Sequence, residues 1–337
     1  MSQAATTAVP ETMRAVEYSG AGGPEVIELV DRPVPTPGHG EVLVRVAAAG
    51  INRADVSQRA GNYPPPPGAS DIPGLEVSGT VAARGPGVTG YDVGTPVCAL
   101  LAGGGYAEYV AVPAGQLLPI PAGVDLVEAA GLPEVACTVW SNLFMEADLA
   151  EGEWLLVHGG AGGIGTMATQ LATARGVQVV VTAGSAGKIE YCRDFGALEG
   201  INYREEDFVE RMRQITGGHG ADVVLDIMGA KYLGQNVDVL AKDGRLVVIA
   251  LQGGAKAELN LAKLMTRRLR VIGTTLRARS IEAKARVVDG VRTVVWPLVE
   301  SGAVRPVVEK TFPLEQAAQA HEYFDSGEHR GKILLTT

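Results

Sequence analysis

The sequence predicts an α/β protein in two parts, a β-rich domain followed by a doubly wound parallel sheet. Three observations lead there. Short apolar runs punctuated by proline and glycine fill the first third of the chain. Near Asp125 the texture changes to apolar runs alternating with amphipathic helices, and a glycine-rich turn joins the first of those runs to a helix. At 337 residues there is room for two domains, each with its own core.

Taken in order, Met1–Thr12 are small and polar, without the basic start and apolar core of a signal peptide, and are read as a disordered tail. Strands are expected at 13–18, 26–30, 41–47, 77–84, 95–101 and 106–112, an all-β region of barrel type. Asn52 can cap a short helix carrying Arg53–Arg59, and Tyr63 is followed by Pro64–Pro67, which hold the backbone extended. A helix is expected at 135–147. The parallel sheet then takes strands at 154–158, 177–182, 200–203, 221–226, 245–250 and 269–275, with helices between. Beyond Ser280 come a long helix to about 301, a strand at 304–308, a helix at 314–324 and a strand at 332–336. These do not extend the alternation, so the chain is expected to return to the first domain.

The formal charge of −9 offers no basic field for nucleic acid or an anionic membrane, and no apolar segment is long enough to span a bilayer. Cys98, Cys137 and Cys192 lie far apart, suggesting neither a disulfide framework nor a zinc knuckle, and a reducing cytoplasm fits. Gly327–Lys332 is too short for a phosphate loop and lacks Ser or Thr after its lysine, so it is set aside.

The glycine turn carries the first chemical prediction. Trp154–His158, then Gly159–Gly165, then an alanine-rich helix ending at Gly176, then Val177–Thr182, make a βαβ unit with G-x-G-x-x-G at Gly160, Gly162 and Gly165. Gly160 is assigned the tight turn, Gly162 the close approach of a pyrophosphate, and Gly165 close packing of helix on strand. The helix N-terminus offers free N–H groups to phosphates. An NAD site normally places Asp or Glu about 20 residues past the glycines to bind the ribose 2′-hydroxyl. Here the chain reads Ala183-Gly184-Ser185-Ala186-Gly187-Lys188, with no carboxylate. A hydroxyl and an ammonium suit a 2′-phosphate, which selects NADPH; the alternative for Lys188 is an exposed place in the next helix.

The domain order resembles that of the medium-chain dehydrogenase/reductases from Met13 onward. Gly50-Ile51-Asn52-Arg53-Ala54-Asp55, Gly74-Leu75-Glu76-Val77-Ser78-Gly79, Gly104-Gly105-Tyr106-Ala107-Glu108-Tyr109-Val110 and Asn202–Phe208 look like the zinc-independent quinone oxidoreductase branch. Gln58–Tyr63 with the following prolines is most similar to the type induced by the p53 tumour suppressor. The resemblance implies a GroES-like catalytic domain at 13–130 and 276–337, and a Rossmann NADPH-binding domain at 131–275. It aligns Asn52, Leu75 and Glu134 with the zinc ligands of metal-dependent relatives; Leu cannot ligate zinc and Asn is a poor ligand, so no metal is expected.

What the resemblance implies for function is metal-free reduction of a quinone by hydride or single-electron transfer. Tyr63 would line the substrate cleft and Asn52 lie near the nicotinamide, the two candidate catalytic residues. Tyr63 reads equally as an oxyanion or proton partner and as a packing tyrosine, and Asn52 equally as a helix cap. Thr138 would stand beside the nicotinamide, Gly160, Gly162, Gly163, Ile164 and Gly165 at the pyrophosphate, and Gly184, Ser185, Lys188 and Tyr203 at the 2′-phosphate. The p53-induced relative carries serine where this chain has Gly162. A homodimer joined through edge strands near Val271–Thr275 is implied, in the cytoplasm, with no membrane or nucleic-acid partner. Two alternatives stay open: a 2-enoyl thioester or enone reductase of the same superfamily, and an NADPH-sensing or RNA-binding protein of zeta-crystallin type.

Overall fold

The structure, a computed structural model, describes residues 9–337. Most of the tail expected at 1–12 lies outside the described residues, and Thr12 already opens the first strand. Strands β1 (Thr12–Tyr18) and β2 (Ile27–Pro33) form an antiparallel pair. Five more follow: β3 (Glu41–Gly50), β4 (Glu76–Arg84), β5 (Pro96–Leu100), β6 (Tyr109–Pro113) and β7 (Leu117–Pro119). Next come β8 (Trp154–His158), β9 (Gln178–Ala183), β10 (Glu199–Asn202), β11 (Ala221–Asp226), β12 (Leu240–Val248) and β13 (Arg270–Gly273). The chain ends with β14 (Val308–Pro313) and β15 (Lys332–Thr336).

The second group is one parallel sheet in the order β10-β9-β8-β11-β12-β13, with the direction of winding reversing beside β8. In such sheets ligands bind beyond the strand C-termini at that reversal. The first domain is a seven-stranded sheet, β14-β15-β3-β4-β5-β7 with β6 added to β3. Its core joins Val42, Val44, Val77 and Tyr106 of the N-terminal segment to Ile333, Leu335 and Phe324 of the C-terminal one. The expected return of the chain is thus real, and β15 pairs antiparallel with β3.

Where expectation and structure differ, local causes are visible. The helix expected from 205 begins at Phe208, because the Asp207 carboxylate accepts from Val209 N–H and Glu210 N–H and so fixes the cap. The strand expected at 304–308 is displaced to β14, since Val304 N–H still closes the preceding helix on Leu298 O. Helix Leu261–Arg267 was not anticipated; none of its residues is buried, so it leaves no apolar periodicity to read. Within 276–337, helical run 281–300 buries Val287, Val288, Val291, Val295 and Trp296 in a cluster that holds Cys98, Leu100 and Leu118 of the first domain as well as Leu155 and Val157 of the parallel sheet.

Candidate active site

Helix Arg53–Arg59 begins where β3 runs out. Asn52 and Asp55 close a capping box across its first turn, with the Asp55 carboxylate accepting from Asn52 N–H at 2.8 Å. Asp55 also accepts from Gly74 N–H (3.1 Å) and Tyr106 Oη–H (3.1 Å). Burial pushes its carboxyl up to about 6 against those donors.

Asn52 does a second job. Its Nδ2 donates to Glu76 Oε1 (3.0 Å) on β4 and to Gly50 O (3.3 Å), while Oδ1 accepts from Lys332 Nζ (2.7 Å) on β15. Lys332 Nζ also donates to Ile51 O (2.9 Å) and pairs with Glu76 Oε1 at 2.6 Å. Both side chains are sealed, Lys332 at 5% exposure and Glu76 at none. The other Glu76 oxygen accepts from Glu134 N–H (2.8 Å), which ties the start of helix Pro133–Val139 to β4. Thr138, one turn on, sets its hydroxyl 3.5 Å from Glu134 Oε1. Protein encloses the Glu134 carboxyl on most sides, although the residue keeps some solvent contact. Burial first, and the Glu76 charge second, push it up to about 8.

The donor chemistry does not suit a metal. Both ends of the Asn52 amide are engaged, the Lys332 ammonium already neutralises Glu76, and Leu75 sits in the apolar core at 1% exposure. Among the described residues no group of three or more His, Cys, Asp or Glu is gathered tightly enough to hold an ion.

Tyr63 is half-buried beneath the Arg277 guanidinium, 5.4 Å from its ring centre. Arg277 donates through Nε to Ala102 O (2.7 Å), through Nη1 to Tyr63 O (3.3 Å) and through Nη2 to Gln58 Oε1 (2.7 Å). Burial, reinforced by Glu134, raises the Tyr63 phenol above its ordinary range, and Arg277 opposes the rise. Sequence reasoning missed Arg277, since nothing marks one arginine after the last sheet strand as a cross-domain anchor.

The glycine turn has one correction. The left-handed residue is Gly159 (φ 76°), not Gly160. A Cβ on Gly160 would instead stand 2.5 Å from Val181 Cβ, so this residue is needed for packing under β9. A Cβ on Gly165 would collide with the Gly159 and Gly160 carbonyls, as expected for close helix packing. At Gly162 the nearest atom to an added Cβ is Gly159 O at 3.7 Å, which leaves the backbone open toward the helix N-terminus at Gly163 and Ile164.

The segment Gly327–Lys332, set aside on sequence grounds, lies directly against this turn. Gly331 N–H donates to Ala161 O (2.8 Å), and the Lys332 stem packs where a Cβ on Gly163 would be, 2.7 Å from Cδ. Lys188 Nζ donates to Gly327 O (2.6 Å) and His329 O (3.4 Å), so it is neither free nor simply exposed. Ser185 caps the helix that carries Lys188. Burial and then the Arg330 charge lower the Lys188 ammonium, Glu309 opposes the drop, and Arg204 adds to it. Beside Gly184 stand Tyr203 Oη and Arg204 Nε, 2.7 and 3.2 Å from an added Cβ. Arg330 Nη2 comes 3.9 Å from a Cβ added to Gly187, so Lys188, Arg204 and Arg330 all flank the stretch 184–188 where the sequence lacks its acid. Sequence reasoning found only the first; the Tyr203-Arg204 pairing at a strand end was the available signal.

Comparison with known proteins agrees with this architecture. Residues 38–122 match the family model described as alcohol dehydrogenase GroES-like domain, and residues 163–289 the one described as zinc-binding dehydrogenase. The rat protein named quinone oxidoreductase is 32% identical over 326 residues, 96% of this chain and 97% of the relative. An Escherichia coli quinone oxidoreductase structure complexed with NADPH superposes with a TM-score of 0.86 at 32% identity, covering 97% of this chain and all of the other. A structure described as an NAD-dependent alcohol dehydrogenase gives 0.83 at 33% identity, over 96% of this chain and all of that one. With a GroES-like domain, a doubly wound domain and 32% identity to quinone oxidoreductases over nearly its full length, the chain belongs to the quinone oxidoreductase branch of the medium-chain dehydrogenase/reductase superfamily.

Proposed function

We propose that this protein reduces quinones with NADPH, without a metal. The observation that carries the cofactor half is Arg204 beside Gly184, Arg330 beside Gly187 and Lys188 on the helix that follows, with Tyr203 and Ser185 as hydroxyl donors and no carboxylate to receive a ribose hydroxyl. The pyrophosphate would lie over Gly162, whose Cβ direction is open, at the N-terminus of helix Gly163–Thr173. Bound NADPH would supply a hydride at nicotinamide C4.

The chain's own residues then position and shield. Both ends of the Asn52 amide are held by Glu76 and Lys332, so Asn52 acts as a positioning residue that fixes the end of β3 and the start of its helix. Thr138 presents its hydroxyl from helix Pro133–Val139 near the same point. Tyr63 closes the acceptor side, its phenol pushed further above its ordinary range by burial and available to donate to a reduced acceptor's oxygen. Aromatisation makes a quinone an electron acceptor that needs no Lewis acid, which matches a donor set unfit for zinc.

A homodimer through β13 belongs to the same reading. This strand ends the parallel sheet, pairs on one side only with β12, and leaves Val271 40% exposed.

The test is steady-state oxidation of NADPH against NADH with an ortho-quinone. Lys188→Ala should remove a charge-assisted contact of about 1.5–3 kcal/mol, roughly a 10- to 100-fold rise in KM for NADPH, with NADH unaffected. Equal use of both nucleotides by the wild type would refute the cofactor assignment.

A further inference from the structure

The stretch 274–279, which leaves the end of β13, grips two separate parts of this site. In its middle stands Arg277, 4% exposed, whose guanidinium is spent on three neutral oxygens. Nε donates to Ala102 O (2.7 Å), Nη1 to Tyr63 O (3.3 Å) and Nη2 to Gln58 Oε1 (2.7 Å). These acceptors belong to three pieces of the first domain: the loop after β5, the loop that carries Tyr63, and helix Arg53–Arg59. The guanidinium carbon also lies 5.4 Å from the centre of the Tyr63 ring. A rigid planar fork with three fixed acceptors holds their relative positions, which a single charge on a flexible stem does not.

The residues on either side of Arg277 reach the other part. Thr274 donates its hydroxyl to Asn142 Oδ1, and Asn142 Nδ2 donates to Thr138 O (2.8 Å). Asn142 is 2% exposed, and because a carbonyl can only accept, these two bonds leave its amide one orientation. The Ser141 hydroxyl turns back on the same Thr138 carbonyl (3.3 Å). From Trp140 to Glu146 the helix widens into a π-helix, a form frequent at functional sites. Arg279 Nη2 closes the far end of that stretch on Glu146 Oε1 (2.9 Å). Thr138 is thus fixed, through Asn142, to the same short stretch that fixes the Tyr63 loop through Arg277.

We propose that 274–279 is a strap that sets the spacing of the acceptor wall from the nicotinamide-side helix, with Arg277 the positioning residue for Tyr63 and Asn142 the positioning residue for Thr138. This rests on the reading above, which puts Tyr63 at the acceptor and Thr138 beside the nicotinamide. Hydride transfer needs its reacting atoms about 3–3.5 Å apart, and a misplacement of about 1 Å can cost on the order of 100-fold in rate. The two ends of the strap have separable consequences. When the Tyr63 end is loosened, the wall is aligned only part of the time; an aligned fraction of about a tenth weakens acceptor binding about tenfold. When the Thr138 end is loosened, the hydride donor is misaligned and the transfer step slows, with acceptor binding unchanged.

The first test needs no turnover. The N–H groups of Ala60, Gly61 and Asn62 close the end of helix Arg53–Arg59 on Val56 O, Gln58 O and Ser57 O, just before Tyr63. In the NADP⁺-bound protein, hydrogen exchange read by mass spectrometry should show these amides exchanging about tenfold faster in Arg277→Lys, with β3, β4 and the parallel sheet protected as in the wild type. Gln58→Ala, which removes one of the three acceptors and leaves Arg277 in place, should give a smaller change of the same kind. The second test is kinetic, with an ortho-naphthoquinone as acceptor. Arg277→Lys should raise KM for the quinone about tenfold and leave KM for NADPH unchanged. Thr274→Val should leave both KM values unchanged and slow NADPH oxidation in a single turnover about tenfold, and Thr274→Ser, which restores the hydroxyl, should restore the rate. Wild-type exchange at 60–62 in both Arg277→Lys and Gln58→Ala, equal rises in the two KM values, or a single-turnover rate in Thr274→Val equal to that of the wild type would each overturn the proposal. If the amides loosen as expected but the wild type reduces no quinone, the strap's hold on Tyr63 stands and the quinone assignment falls.

Discussion

Replacing Lys332 with methionine tests the central scaffold most directly. The change keeps the length of the stem but removes an ammonium held by Glu76, Asn52 Oδ1 and Ile51 O, and it strands Glu76 with no exposed surface. Breaking one side of a buried ion pair usually costs about 3–5 kcal/mol. Glu76 would keep two neutral donors, Asn52 Nδ2 and Glu134 N–H, so the lower end, about 3 kcal/mol, is expected. For a unit of 150–250 residues that is roughly 6–12 °C in the first thermal transition. Urea titration followed by tryptophan fluorescence and circular dichroism supplies the free energy, and the double variant Lys332→Met with Glu76→Gln supplies the control. The double variant should recover more than half of the loss, since no uncompensated charge remains buried. A single variant within about 1 kcal/mol of wild type, or a double variant no better than the single, would refute the view that this pair is a sealed electrostatic tie.

Other outcomes follow from the same geometry. Gly165→Ala should abolish nucleotide binding or folding because the methyl meets two backbone carbonyls, whereas Gly162→Ser should fold and bind as wild type; comparable behaviour of the two by dye-monitored melting would contradict the loop description. Glu134 has its carboxyl raised from 4.5 to about 8, so the folded form holds a proton that the unfolded chain releases. Stability should be fullest below about pH 4.5 and fall toward pH 8 by at most about 1.4 kcal/mol per unit; Glu134→Gln should flatten that slope in urea midpoints measured across pH. Ile272→Pro removes a donor from β13 and should give a monomer by light scattering, as should the gentler Val271→Lys; dimers in both would exclude this edge as the interface. Tyr63→Phe should lower kcat with a quinone about tenfold or more if the hydroxyl donates, and leave it unchanged if the ring only packs.

Much of this molecule could be read locally. The span Arg53–Arg59, the run Ala221–Asp226 and the final strand from Lys332 stand where periodicity and capping residues put them. The glycine turn was legible because its chemistry is written in adjacent residues. What escaped has a common cause. Asn52 and Lys332 are 280 positions apart, and nothing in either neighbourhood announces the other. Arg277 and Lys284 are residue types that usually face water, so only packing reveals that the fold has turned them inward. Gly327–Lys332 failed as a motif because its role lies in backbone groups offered to Ala161 and Lys188, which a side-chain pattern does not record.

The pairing of β15 with β3 also sets a timetable. A ribosome releases the first domain's strands hundreds of residues before the strand that completes them, and domains otherwise tend to fold as they emerge. Until Lys332–Thr336 leaves the exit tunnel, the Ala48–Gly50 end of β3, beyond the part that β6 covers, lacks its partner strand and Glu76 has no counter-ion. The parallel-sheet domain, whose strands are contiguous, can compact first and wait. Late closure by non-local pairing is slow and exposes sticky edges. The nascent chain should therefore be most vulnerable to aggregation and proteolysis in the long interval between synthesis of β7 and synthesis of β15, and a chaperone's hold on it should be released only by the last strand.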